Sequence, residues 1–590
     1  MLISITSCDE FLSVDPVDKQ VKESYFTSES AVRANTASLY GRVWWDYINS
    51  FMIFAGDMMS GDMLYTYADE GQFFYNTVTP NNRFSLNAWD ALFLVGSYAN
   101  SVIIDMPEMA KAGGVSEEVI NKALGEAYLF RGLAYYFLTE YWGEVPIIEN
   151  ASDLITSGNA NDMYVNKSTQ GSLYRFICED LEKAVELLPE VDAQAGRVTK
   201  FSAKGLLAKV YLTRGCFVKG GGVDSGEGAD YFAKSMEYAE DVILNGPRLA
   251  KDYSTMYDVA SNNCSESLIA FQATVAGYGL GNSRTIQFSR NNDLIGASCW
   301  GAGKTVTISL QEEFAKQPND GRRKWVYMQL NDKYDNLGKD AAGYTYLNYN
   351  SDLADYSVWT DQPGTCLTHM RKYVIHSNGG KDVGTNQDGG NNLYLLRLSD
   401  VYFVYAEAAL KGDINGTLTD SKALGYINQV LNRGGDSDAG YTVSSLSYVD
   451  LIKERRKEFA IEGINWFDIK RMYYLNGQTA LDYLNNMYRD MVWVLNWDKL
   501  NDTYGESVTN EQLFEAGNNP DFYLRNWNSP LTEKDRVDCG PTSSPDLSNR
   551  GVPVTMTDAS MYIAIPADAS TKAPILLEPA VDYYQSVENK

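Results

Sequence analysis

The sequence predicts a mostly α-helical fold in which four tetratricopeptide-like helix pairs scaffold a loop-rich, irregular ligand-binding region with minor β-structure. Three observations carry that expectation. Apolar residues recur at three- and four-residue spacing through much of the first half of the chain. Small residues accompany aromatics in successive helix-length segments, the pattern of pairs that bury a face only by stacking on a neighbour. Between the helical blocks the composition turns to Gly, Asn, Asp, Tyr and Trp, with short β-like runs such as SLIAFQATV and RKYVIHS.

Each element has a local reason. GVSEEVINKALGEAYLFRGLAYYFLTEYWGEVP starts at Ser116, with Glu117 and Glu118 where the helix dipole favours acids. Ile120, Leu124, Ala127, Phe130, Ala134 and Phe137 then mark one face, and Gly143 and Pro146 end it. SLYRFICEDLEKAVELLPE supplies its partner, closed by Pro189. KFSAKGLLAKVYLTRG and DYFAKSMEYAEDVILNGP form a second pair; LRLSDVYFVYAEAALKGD and SKALGYINQVLNRGG form a third. SESAVRANTASLYGRVW with FSLNAWDALFLVGSYANSVI is the expected fourth. The division expected is a signal-peptide remnant at 1–7, an N-terminal helical region at 8–250 and a second region at 251–590, packed as one unit. Variable insertions are expected near 255–395 and 476–556.

Bulk numbers narrow the function. Fifty basic against 77 acidic side chains give a net charge of −27 across 590 residues, the wrong sign for nucleic acid. No apolar run approaches the roughly 18 residues that span a bilayer. Two histidines, His369 and His376, leave almost no material for a zinc enzyme or a histidine-based triad. Seven dispersed cysteines without a CxxC pair make no disulfide framework, and most are expected as small buried hydrophobes. SCWGAGKT misses a P-loop because Ser298 replaces its first glycine and no apolar strand precedes it. GDINGTLTD and GGDSDAG do not complete a calcium-loop ligand series. No cofactor or metal is expected.

What remains is a set of aromatics in polar, glycine-rich surroundings. DMLYTYADEGQFFYNTV reads as a loop carrying Tyr65, Tyr67 and Phe73; GYGLGNSR and ASCWGAGK carry Tyr278 and Trp300. An aromatic face matches the CH-rich face of a sugar, while amides and carboxylates bond its hydroxyls. The expected site is a shallow platform of Trp300 and Tyr278 with Tyr65, Tyr67 or Phe73, and with Asp62, Asn282 and Arg290 as hydrogen-bonding neighbours. No catalytic residue is assigned.

The N-terminus adds an address. Ile5-Thr6-Ser7-Cys8 reads like the end of a bacterial lipobox, with Cys8 as the lipidated residue. Several stretches then resemble the SusD/RagB proteins of Bacteroidetes. ALGEAYLFRGLAYYFLTEYWGEVPII, LYLLRLSDVYFVYAEAAL and MYIAIPADASTKAPILLEP are three of them. The most specific is LIKERRKEFAIEGINWFDIKRM, with Glu454, Arg455, Arg456, Glu458, Phe459, Glu462, Gly463, Trp466, Asp468 and Arg471 in order. That block reads as structural, with Glu454 and Glu458 pairing to nearby Arg or Lys on one helix and Phe459 and Trp466 buried. The resemblance implies a noncatalytic cell-surface lipoprotein of the outer membrane that captures glycan for a SusC-like TonB-dependent transporter. It also makes Asp9-Glu10 similar to an acidic export tract. Peptide capture on the same scaffold, and a helical glycosidase, are the alternatives.

Overall fold

A computed structural model describes residues 25–588 except 66, 151–164, 227, 290, 301–303, 330–331, 347–367, 386, 434–439, 488, 490–491, 496, 506–511, 513–522 and 527–554. Seven helices stack in series: α1 (Arg83–Ile104), α2 (Glu117–Trp142), α3 (Gln170–Leu187), α4 (Lys200–Lys219), α5 (Tyr231–Asn245), α6 (Leu398–Ala409) and α7 (Ser421–Leu431). Each packs on the next. The helix starts follow the sequence: Asn82, Thr169, Asp230 and Asp420 accept backbone N–H bonds from the first turns of α1, α3, α5 and α7. Ser116 stands at the α2 start as expected, although its side chain makes no capping bond. Gly143, at φ 77°, ends α2.

The first pair differs from expectation. The segment expected as one helix is helical only over Glu29–Ala37 and packs on α2. Residues 38–58 then run as short 3₁₀ and π turns, and it is these that face α1. The reason is crowding by aromatics: Trp44, Tyr47 and Phe51 all point into rings of α2, with Tyr47 stacked on Phe137 and Phe51 on Trp142. Their i, i+3, i+7 spacing keeps the three rings on one face toward α2 even though the turns between them are irregular.

Strands among the described residues form only two-stranded antiparallel pairs. The one that matters is β1 (Ser267–Phe271) with β2 (Leu393–Arg397), which runs Ser267 opposite Arg397 and delivers Arg397 to the start of α6. One hydrophobic cluster extends from Phe26 to Leu576 and crosses from α4 and α5 into α6. Cys178 and Cys216 are buried in it, and burial pushes the Cys178 thiol up to about 12.

The signature block forms α8 (Tyr448–Phe459), a turn, and α9 (Asn465–Leu475). Phe459 and Trp466 are buried, as expected. The charges behave differently. Glu454 does pair with Lys457 on its own helix, at 2.8 Å. Glu458 instead reaches three distant arginines: Arg322 at 3.0 Å, Arg397 at 2.6 Å and Arg433 at 2.8 Å. Arg397 also meets Glu266 and Glu462, and Lys372 meets Glu462 at 2.9 Å. On the other side Arg455 and Arg471 share Asp468, while Asp400 and Glu407 complete the set. In the turn, the Asp57 carboxylate accepts the N–H groups of Ile461 and Gly463 at 2.7 and 2.9 Å. The chains approach so closely there that a Cβ on Gly56 would lie 2.2 Å from the Gly463 carbonyl.

Burial opposes the charge on Glu458, yet Arg397, Arg433 and Arg322 outweigh it and hold the carboxyl well below the usual range. The folded chain therefore binds fewer protons there than the unfolded chain. The stability from this group is present above about pH 4.5 and is lost as pH falls toward the folded value. Glu458→Gln leaves three buried guanidiniums short of a counter-charge and should cost about 3–5 kcal/mol at neutral pH. Thermal melts across pH 3–7 should show a lower midpoint and a shallower acid slope than wild type.

Candidate ligand-binding face

Three exposed rings lie on segments that the fold draws together. Residues 62–64 run antiparallel to 305–307: Met63 bridges Val306, Leu64 donates to Thr305 O at 2.9 Å, and Thr307 donates to Asp62 O at 2.9 Å. Tyr67 follows the first of these stretches in sequence and Trp300 precedes the second. Tyr67 is 62% exposed and Trp300 59%. Beside Tyr67, the Lys304 ammonium sits 5.6 Å from the ring centroid and 2.9 Å from the Glu70 carboxylate. Trp300 is held at its backbone, donating to Ile286 O at 3.1 Å. Tyr278, 57% exposed, sets its ring edge-on to Trp45 at 5.0 Å. The Asn49 carbonyl accepts from Arg284 and Gln287, tying the 284–288 helix to the stretch that carries Trp45. No ring contact among the described residues joins Tyr67, Tyr278 and Trp300 to one another, so they stand as separate stacking surfaces.

The other expected members are corrected by the structure. DMLYTYADEGQFFYNTV is not all loop: Ala68–Phe74 is a helix with Asp69 and Glu70 in its first turn. Its inward face takes Phe73 fully into the core against Phe51 and Phe54, and leaves Tyr67, just before the first turn, outside. Tyr65 is buried against Phe74, with its hydroxyl 3.2 Å from that of Tyr75. Asp62 is wholly buried. It pairs with Arg456 of α8 and accepts from Asn465 at 2.6 Å and Ser60 at 2.9 Å, so its lone pairs are used inside the protein. Asn282 is also wholly buried, donating to Asn391 O and accepting from Arg284 N. Arg290 and Cys8 lie outside the described residues. Lys304, the would-be P-loop lysine, serves Glu70. Trp45, one residue beyond the expected helical segment SESAVRANTASLYGRVW, was not among the expected site residues.

A cleft of about 550 Å³ opens elsewhere, between α1 and α2, lined in part by Phe93, Asn100, Tyr135 and Ile148; none of the three exposed rings borders it. No group of three or more His, Cys, Asp or Glu among the described residues is placed to hold a metal.

Known proteins share this architecture. A family model described as "Starch-binding associating with outer membrane" matches residues 10–212, and the SusD family model matches 259–525. A SusD-like protein of Bacteroides ovatus is 31% identical over 83% of this chain and 84% of its own length. The chain belongs to the SusD/RagB family. SusD-like protein P2 of Formosa agariphila is 24% identical over 80% of the chain and 89% of that protein. A crystal structure solved with xylogluco-oligosaccharide superimposes with a TM-score of 0.73, at 26% identity, covering 94% of this chain and 99% of the other. Within this SusD/RagB member, ring exposure separates surface from core in a way that substitution reads directly. Trp300→Ala should leave the melting midpoint nearly unchanged, whereas Phe73→Ala should cost about 3–5 kcal/mol of stability. Paired thermal melts of the two variants check this.

Proposed function

We propose that this SusD/RagB chain is a cell-surface glycan-binding lipoprotein that captures oligosaccharide without cleaving it. It then delivers the sugar to a TonB-dependent outer-membrane transporter of the SusC type. The observation that carries the reading is the set of three exposed rings, Tyr67, Tyr278 and Trp300, the last two in polar, glycine-rich sequence. Exposed separate rings suit successive sugar units, whose CH faces stack while their hydroxyls stay wet. The relative solved with xylogluco-oligosaccharide supports a sugar over a peptide. Asp62, the acid expected at the face, is consumed by Arg456, Asn465 and Ser60, and Glu70 beside Tyr67 is paired with Lys304, which favours holding over hydrolysis. For the address, the support is the Cys8 lipobox and the outer-membrane association named for the matching family. A lipid on Cys8 would anchor the protein without any spanning helix; no described helix is long and apolar enough to cross a membrane.

The test is calorimetric titration with a panel of xylogluco-, laminari- and malto-oligosaccharides, with reducing ends assayed in parallel. Binding to at least one sugar, no release of reducing ends, and a loss of about tenfold in affinity for Trp300→Ala or Tyr67→Ala are expected. Steady hydrolysis abolished by one Asp or Glu substitution would overturn the noncatalytic reading.

A further inference from the structure

Trp45 is an anomaly among the large buried side chains. It is fully buried, yet it does not belong to the hydrophobic cluster that holds Trp44 and Trp466. Its indole N–H has no hydrogen-bond partner. Trp142 and Trp466 also leave an N–H unpaired, but both rings sit inside the core cluster. The single ring in contact with Trp45 among the described residues is Tyr278, itself more than half exposed. The one ring that packs on Trp45 is thus a surface side chain.

The cover is built to move at one point. Its loop is pinned by Thr274 N–H on Leu280 O at 2.8 Å, Leu280 N–H on Gly277 O at 3.2 Å and Gly277 N–H on the Asp388 carboxylate at 2.9 Å. What is left free is the Tyr278 side chain, flanked by Gly277 at φ 110° and Gly279 at φ 87°. Those conformations favour glycine, and they remove the neighbouring Cβ atoms that would hinder rotation of the ring. Rotamer exchange of an exposed side chain takes picoseconds to nanoseconds, so the swing itself adds no slow step.

We propose that Trp45 is a concealed part of the ligand-binding face: Tyr278 swings aside on binding, and the Trp45 indole N–H then donates to a sugar hydroxyl. The inference rests on the glycan reading above and names a residue that fixes which sugar oxygen is accepted. The indole is a donor only, so the ligand must present an oxygen lone pair there. Binding satisfies a polar group that the free protein leaves unpaired, and so favours ligands with a correctly placed hydroxyl over those without one.

The experiment follows the Trp45 indole ¹⁵N–¹H resonance during titration with whichever panel oligosaccharide binds, and measures Trp45→Phe affinity for that sugar. Trp45→Phe keeps a ring and removes the donor. The resonance should shift on binding, and Trp45→Phe, with a melting midpoint lowered by its smaller buried ring, should bind about three- to tenfold more weakly. An unmoved resonance, with Trp300→Ala still weakening the sugar, sinks the role of Trp45 and leaves the glycan reading intact. Absence of binding by the wild type across the whole panel sinks both. If Trp45→Phe does not fold, the wild-type resonance alone decides.

Discussion

One carboxylate organises this protein. Glu458 is wholly buried and meets Arg322, Arg397 and Arg433, which come from three separate parts of the chain. Arg322 precedes the strand Tyr327–Gln329, Arg397 closes β2 at the start of α6, and Arg433 follows α7. Taking any of these charges out of water alone is costly, so they settle together or not at all. The neighbours extend the rule: Glu266 answers Arg397 and Arg433, and Glu462 answers Arg397 and Lys372. The result joins the helical stack to the inserted loops by ionic contacts with little tolerance for displacement.

The binding face inherits its position from that block. Arg456, on the same helix as Glu458, holds Asp62, and the turn after it is held by Asp57. Both acids lie on the stretch that runs from the 3₁₀ and π turns into residues 62–64. Pairing of 62–64 with 305–307 then carries the constraint to the segments bearing Tyr67 and Trp300. Burial, with Asp62 nearby, pushes the Asp57 carboxyl above its ordinary range, and the Ile461 N–H offsets only part of that. The buried charges are paired within, and Tyr67, Tyr278 and Trp300 are left outside. A net charge of −27 suits such a division, since a neutral sugar needs no long-range attraction.

The helices of the scaffold were legible in the sequence because their causes are local. Capping residues, apolar spacing and Gly or Pro stops act within a few residues, and α2 through α7 sit where those signals put them. The family was legible too, through the order of charged and aromatic residues in the α8–α9 block. The 38–58 stretch was not, because its irregular turns answer to the rings of α2, nearly a hundred residues away.

The exposed rings divide along the same line. Tyr278 and Trp300 were readable as solvent-facing from glycine-rich, polar neighbours alone. Phe73 and Tyr65 were not separable from Tyr67, since whether a ring between polar residues faces in or out depends on a seven-residue helix and on what it packs against. Asp62 and Asn282 carry side chains suited to a sugar, and their partners Arg456 and Asn391 are hundreds and a hundred residues distant, respectively. Sequence determined the elements, the family and the kind of residue available. Only the tertiary structure decided which polar and aromatic groups were already satisfied inside, because a buried hydrogen bond or ion pair is made by partners that the chain brings together last.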